Sequence, residues 1–560
     1  MTDSLKPWPL MAPALAMVTV LGVLKVQSDD FRRPLGEDEL ITLRVYTGAG
    51  TNGDGPPRNL ARREQLEALR PLSGAEWGVA AYASLGRWVE PNNHVVHSAS
   101  VNPFLGRVHP IEAAVRLPAL LAAGAFALSL AWLCIVCGRP WGAPVAAALG
   151  MVWPYVSWYA AESRGYALMM LFLVLFLLAA RWMLSRPASI LASAILTSVA
   201  VLTVMNLINL SADWIAPGFL LIFLVPHWIQ PSLPDLAAAR KATLAVGLAT
   251  AAILGVFVVD RLPYLVSAMR QYGVLYDGWG GYAEQVRDVL DYLFPTLMWK
   301  GIGLVGFAGA LVAAYHRSSR AASVLGLAAL LASAGHFAVT GKFPYLRNCG
   351  YLLLPILFGA GVLTDAAIRS ILGLRWRWLL ATAVTVTVSM LERIEPLPNP
   401  DPHYVAFTRM LSETPIDGTP GRVVLERRVP KSLDLYFPAN WEPVETPFPA
   451  SGTVDLVRIE KTVDDYGFVR ERFAVVESGR ADRIVWHPPF ATTAVNPEPI
   501  LAELRRAGAK TIEPFHARYH AKLAVLSRVT VILAEGTDEA AIRRVADQHG
   551  GSIVRLRKGP

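Results

Sequence analysis

Over its first two-thirds the chain alternates long apolar runs with short polar turns. Many runs are long enough to cross a bilayer core of roughly 30 Å as helix. Eleven spans are predicted, at residues 8–26, 117–136, 141–158, 166–184, 190–207, 212–229, 243–259, 301–315, 322–339, 351–363 with flanks, and 378–391. The first should stay as an anchor, since no small-x-small cleavage site follows it and further spans do. Beyond residue 392 the pattern changes. The run Glu395-Pro-Leu-Pro-Asn-Pro-Asp-Pro reads as a linker into a domain that mixes β-patterned runs at 422–425, 473–476 and 529–533 with amphipathic helices at 499–507 and 538–548. A closing strand, helix and strand suggest a small β-α-β unit. The predicted architecture is a mainly α polytopic membrane protein of about eleven transmembrane helices over residues 1–394, followed by a C-terminal external α/β domain over 395–560.

Short-loop charges predict the orientation. Arg139, Arg181 with Arg186, Arg240 with Lys241, Arg317 with Arg320, and Arg369 with Arg375 and Arg377 fall in alternate loops, and such bases collect on the cytoplasmic side. The N-terminus is then cytoplasmic and the C-terminus external. The long first loop, 27–113, is also external, with residues 76–89 patterned as a surface helix.

Composition supports a membrane setting. Of 560 residues 53% are hydrophobic and 17% charged, against roughly 25% charged in soluble chains. The net charge of +8 is spread beside apolar runs rather than gathered in one polar patch, so no nucleic-acid partner is expected. Three cysteines make no disulfide framework, and Cys134 and Cys137 sit inside an apolar run, where packing in a helix outweighs a redox role.

Candidate chemistry gathers in the external loops. Glu37, Asp38 and Glu39 follow the first span; such acids serve either as a solvated loop or as a general base tuned by burial and nearby bases. Further on, Asn93 and His94 with His97 form an NNHxxHS segment that could hydrogen-bond a substrate, make structural polar contacts, or contribute two ligands to a metal. Glu162, Arg164 and Tyr166 lie on an outer turn between spans, and Lys342, Tyr345 and Arg347 on another. One arginine at a lipid boundary is often an anchor, but two basic turns on one face also suit a phosphate-bearing lipid.

Asp38-Glu39 after the first span, NNHxxHS, Glu112-Ala-Ala-Val-Arg116-Leu-Pro and AAESRGYAL, in this order and on one face, resemble a GT-C glycosyltransferase over about residues 8–365. The closest flavour is the protein-mannosyltransferase and aminoarabinose lipid A-transferase superfamily, often called family 39-like. The resemblance implies a multi-pass plasma (inner) membrane enzyme that moves a sugar from a polyprenyl-phosphate donor to an acceptor hydroxyl on the external, periplasmic face, with inversion. By the same resemblance Asp38 is the base with Glu39 its neighbour, and Arg164, Lys342, Arg347 and, more weakly, Arg116 hold the donor phosphate. Asn93, His94, His97, Glu162, Tyr166 and Tyr345 would line the substrate. A phosphate leaving group needs positive charge more than a strong acid, so a divalent cation is allowed but not required. The acceptor would be a glycan, a lipid or a protein.

Two other readings use the same residues. A transporter or flippase of lipid-linked sugar predicts broken helix pairs in matching halves and midplane charges; no such repeat is visible, and Asn206, Asn209 and Asp213 read as a polar turn. A non-catalytic glycan-binding protein of the same fold differs only in whether Asp38 matters.

Overall fold

A computed structural model describes residues 8–28, 31, 35, 39, 42–43, 71, 94–208, 210–258, 274–275, 278–344, 346–371, 373–391, 422–425, 442–443, 455–463, 469–476, 483–487, 498–520, 523–532, 538–549 and 552–556. The predicted residues Glu37, Asp38, Asn93, Asn209 and Tyr345, the helix at 76–89 and the linker at 395 lie outside the described residues. The chain divides into two compact units. One comprises residues 1–32, 38–58 and 66–397, the other 33–37, 59–65 and 398–560.

The first unit is helical. In order it runs α1 (Trp8–Gln27), α2 (Val95–Ser100), α3 (Ile111–Val136), α4 (Ala143–Val152), α5 (Pro154–Ala160), α6 (Tyr166–Ser185), α7 (Ile190–Asn206), a π turn (Ser211–Ile215), α8 (Ala216–Leu224) and α9 (Pro226–Ile229). It continues with α10 (Leu236–Val258), β1 (Val274–Leu275), α11 (Gly278–Leu293), α12 (Leu297–Tyr315), α13 (Arg320–Thr340), β2 (Lys342–Phe343), a 3₁₀ segment (Leu346–Leu353), α14 (Leu354–Ile371) and α15 (Leu374–Ser389). Every predicted apolar stretch falls on helix.

Among the described residues, six helical segments are long and apolar enough to cross a bilayer. Of the remaining predicted spans, two are broken by proline. Trp153 is extended (φ −58°, ψ 132°) ahead of Pro154, which separates α4 from α5; Val225 (φ −129°, ψ 51°) does the same ahead of Pro226. Hydropathy sums over such a break and cannot register it. The amphipathic helix α11 was not anticipated, although Tyr282, Val286, Val289 and Leu293 recur along it at helical spacing.

Large apolar side chains line the outside, among them Leu297, Leu304, Leu331 and Val339, all strongly exposed, as lipid-facing residues would be. Inside, small residues let helices touch. A Cβ on Gly309 would strike the carbonyl of Gly359, so α12 and α14 meet backbone to backbone. At one end of the bundle the basic turns come together: Arg369 Nη2 donates to Gly138 O (2.8 Å), Arg317 Nη2 to Pro231 O (3.0 Å) and Arg181 Nη1 to Ser318 O (3.3 Å). Arg139 and Arg369 also flank the buried Asp365. The three cysteines are free and buried.

The second unit contains two four-stranded sheets. β3 (Arg422–Leu425) lies parallel to β4 (Glu442–Pro443) and to β5 (Asp455–Val463), which forms an antiparallel pair with β6 (Val469–Val476). The other sheet has the order β10-β7-β9-β8, built from β7 (Arg483–His487), β8 (Thr511–His520), β9 (Leu523–Ile532) and β10 (Ser552–Leu556). Since β7 is antiparallel to both β9 and β10, the closing β9-α17-β10 unit is a split one, with α17 (Glu539–His549) crossing over β7. Ile500, Leu501 and Leu504 of α16 (Glu498–Arg506) pack with Val531 and with Ile542 of α17.

Candidate functional site

The turn between α5 and α6 carries Glu162-Ser163-Arg164-Gly165, and Ser163 is its hub. Glu39 Oε1 accepts from Ser163 N (2.8 Å), and Thr42 Oγ1 donates to Ser163 O (2.9 Å), so one short piece of the first loop grips both backbone groups. His97 Nε2 meets Ser163 Oγ at 3.2 Å. Neither Ser163 nor Thr42 was singled out from sequence; the only signal was the position of Ser163 between two residues that were.

Glu39 is buried and clamped. Arg116 Nε donates to its Oε1 (2.7 Å) and Nη2 to its Oε2 (2.6 Å), while Nη1 donates to Phe31 O (2.9 Å). This two-pronged pairing matches a planar guanidinium to a carboxylate, and it compensates two charges that would be costly to bury apart. The structure thus places Arg116, fully buried on α3, against the acid of the first loop.

The two histidines sit on either side of the start of α2. His94 Nδ1 lies 3.0 Å from Asn206 O, a contact that requires the proton on Nδ1 and leaves Nε2 as an acceptor. Among the described residues His94 Nε2 and His97 Nδ1 have no hydrogen-bond partner. Both rings are buried. Burial, reinforced by the nearby positive charge of Arg164, holds His94 below the usual histidine range and pushes His97 down to about 3, despite the opposing pull of Glu39. Both are therefore neutral at pH 7.

Asn206, at the end of α7, joins this group by donating from Nδ2 to Gly165 O (2.7 Å). The polar turn read from sequence is thereby divided: Asn206 serves the site, while Asp213 in the π turn contacts His336 Nδ1 (2.8 Å) and accepts from Tyr351 OH (2.9 Å). Gly165 has no room for a side chain, since a Cβ there would lie 2.5 Å from Asn206 Oδ1 and 2.6 Å from His94 Cβ.

An aromatic wall packs against the cluster. Tyr166 packs edge-on to His94 (4.4 Å between centroids) and against Tyr159 (4.3 Å), which in turn contacts Tyr155 (4.7 Å). Tyr292 of α11 meets Tyr159 hydroxyl to hydroxyl, and burial drives its phenol upward. Tyr166 OH donates to Asn348 Oδ1 (3.2 Å), and Tyr155 OH donates to Arg347 O (2.6 Å), which ties the 3₁₀ segment to the wall. Arg347 is close enough for its charge to act on His94 and Tyr292. Glu162 Oε2 accepts from Trp158 Nε1 (2.8 Å).

Glu39, His94, His97, Arg116, Glu162, Arg164, Tyr166 and Arg347, predicted from separate segments, thus belong to one connected cluster. Lys342 lies on β2, paired with β1, with Leu275 opposite it. Among the described residues no group of three or more His, Cys, Asp or Glu side chains is placed to hold a metal ion. Tyr155, Tyr159, Tyr292, Asn206 and Asn348 are additions from the fold; of these the Tyr155 and Tyr159 pair, one helical turn apart ahead of Glu162, was visible in the sequence.

Solved structures similar to this chain include two membrane proteins. One is the oligosaccharyltransferase of Archaeoglobus fulgidus in complex with zinc and sulfate, at 14% identity and a TM-score of 0.41, covering 79% of this chain and 59% of that one. The other is ArnT from Cupriavidus metallidurans bound to undecaprenyl phosphate, at 13% identity and a TM-score of 0.41, covering 94% of this chain and 98% of that one. This chain therefore spans 59% of the length of the oligosaccharyltransferase. No family model matches the chain, and no curated protein matches it. Likeness of this degree assigns no residue a role.

Proposed function

We propose that this is a GT-C-type membrane glycosyltransferase of about eleven spans in a plasma (inner) membrane, which takes a sugar from a polyprenyl-phosphate donor on the external face. The observation that carries the reading is the cluster around Ser163: two buried histidines, each with one ring nitrogen lacking a hydrogen-bond partner among the described residues, two arginines, and a tyrosine wall, assembled from loops that the charge rule puts on one side. Unpartnered histidine nitrogens suit sugar hydroxyls, and an aromatic wall suits a sugar face. Arg164 and Arg347 supply charge for a phosphate without a metal.

In the proposed reaction Asp38 takes the proton of the acceptor hydroxyl. The hydroxyl oxygen bonds to the anomeric carbon from the face opposite the lipid phosphate, which departs with the electron pair of the broken bond and so inverts the centre. Arg164 and Arg347, with Lys342 alongside, meet the charge that develops on the leaving phosphate. Glu39 has both oxygens engaged by Arg116 and Ser163, which suits it to position the first loop and leaves Asp38 as the base. In this scheme Arg116 acts through Glu39 rather than on the phosphate.

The test is release or transfer of sugar from a panel of synthetic polyprenyl-phosphate sugars by the purified protein, with and without chelator. Asp38→Asn should abolish turnover while leaving donor binding intact, and Arg347→Gln should weaken donor binding at least tenfold. Activity that survives chelation supports the metal-free scheme. A protein that binds lipid phosphate yet turns over no donor, with Asp38→Asn indistinguishable from the native chain, sinks the enzyme reading and favours a transporter or a binding protein.

A further inference from the structure

The bundle carries a concave feature at the end away from the cluster. On α6 Arg181 lies fifteen residues beyond Tyr166, about 22 Å along the axis at 1.5 Å per residue. There a groove of about 520 Å³ opens between α3, α6 and α7. Its walls are apolar, with Trp132 from α3, Leu175 and Leu178 from α6, and Ile195 and Val199 from α7, and Arg181 stands at its polar end. Trp132 and Ile195 are substantially exposed, so the groove opens sideways on the surface that faces lipid.

Four arginines at this end have neutral partners. Arg181 is held by carbonyl and thiol groups, at Ser318 O (3.3 Å) and Cys137 Sγ (3.9 Å). Arg240 is bonded to Phe223 O and Leu224 O, Arg317 to Pro231 O, and Arg320 to Ala314 O and Tyr315 O. Among the described residues none of these four arginines forms an ion pair with a carboxylate. A guanidinium at a lipid boundary whose partners are neutral retains the capacity to bind an anion. Basic pockets between membrane helices on the cytoplasmic side match the anionic lipids of that leaflet.

We infer that this groove is a binding site for an anionic phospholipid of the cytoplasmic leaflet, with an acyl chain along α3, α6 and α7 and the phosphate at Arg181. The occupant is a membrane lipid rather than soluble phosphate, since the groove is mostly apolar and a free phosphate would leave it empty. The site does not depend on the transferase reading, only on the chain being embedded in a bilayer with the basic turns on the cytoplasmic side.

The test reads the thermal unfolding midpoint of the full-length protein in nanodiscs of phosphatidylcholine alone or with phosphatidylglycerol. The native chain should gain several degrees from phosphatidylglycerol, by preferential binding to the folded state. Arg181→Gln should lose that gain, as should Ile195→Trp, which fills the groove without altering charge. Arg186→Gln, a change at an exposed arginine beside the groove, should keep it. Equal midpoints in the two lipids would overturn the inference, as would a gain that Arg181→Gln retains. It would also fall if glycerol phosphate reproduced the shift, or if the shift followed protein concentration rather than lipid, as contact with a second copy would.

Discussion

A buried carboxylate and guanidinium stabilise each other only as a pair. Glu39 and Arg116 are both almost wholly buried and joined by two hydrogen bonds. Removing one partner strands the other, which costs on the order of 3–5 kcal/mol. Glu39→Gln and Arg116→Met should therefore each lower the unfolding midpoint sharply. The double variant should recover much of the loss, since it leaves no buried charge behind. An additive double variant would show that the two residues act apart. His97 makes a pH prediction. Its folded value of about 3 lies below the ordinary value of 6.5, so between these limits the unfolded chain binds the extra proton and the folded chain does not. Stability is full above about pH 6.5 and falls as the pH drops toward 3. His97→Gln should flatten this slope in unfolding curves recorded at pH 7.5, 6.0 and 5.0, and an unchanged slope would remove His97 as its source.

At the scale of elements the site depends on how closely the turn at residues 162–165 approaches α2 and the end of α7. Gly165 faces Asn206 and the His94 side chain at distances that admit no Cβ. Gly165→Ala should push His94 off Asn206 O and so lower activity far more than stability, because the turn can shift outward while the helices keep their packing. Measured turnover and unfolding midpoint separate the two effects. The breaks at Pro154 and Pro226 act at the same scale. Without the first, Tyr155 and Tyr159 would continue the axis of α4, and Tyr155 OH would not be expected to reach Arg347 O.

For the whole molecule the clearest expectation concerns sidedness. The basic turns collect at one end and the Ser163 cluster is built at the other, as the proposed orientation requires. The native cysteines are buried, so single new cysteines can report the sides. A membrane-impermeant maleimide should label Trp279→Cys in intact cells and Ala188→Cys only after permeabilisation, both positions being exposed. The reverse pattern would place the cluster on the cytoplasmic side and withdraw the external reaction.

Much of this architecture was readable along the chain. Apolar length and the spacing of arginines depend on local composition, and they located the helical stretches and the grouping of basic turns. Single residues such as His94, Arg164 and Arg347 stood out because charged or polar groups are scarce in such surroundings. Their partners were a different matter. That Arg116 clamps Glu39, that Ser163 is held from three directions, and that Asn206 belongs with His94 rather than with Asp213 depend on which helix ends meet. Hydropathy reports how far a segment prefers lipid to water, a property of each residue alone. Which side chains neutralise one another is settled by packing between segments far apart in sequence, where burying a charge is tolerable only if its partner arrives with it.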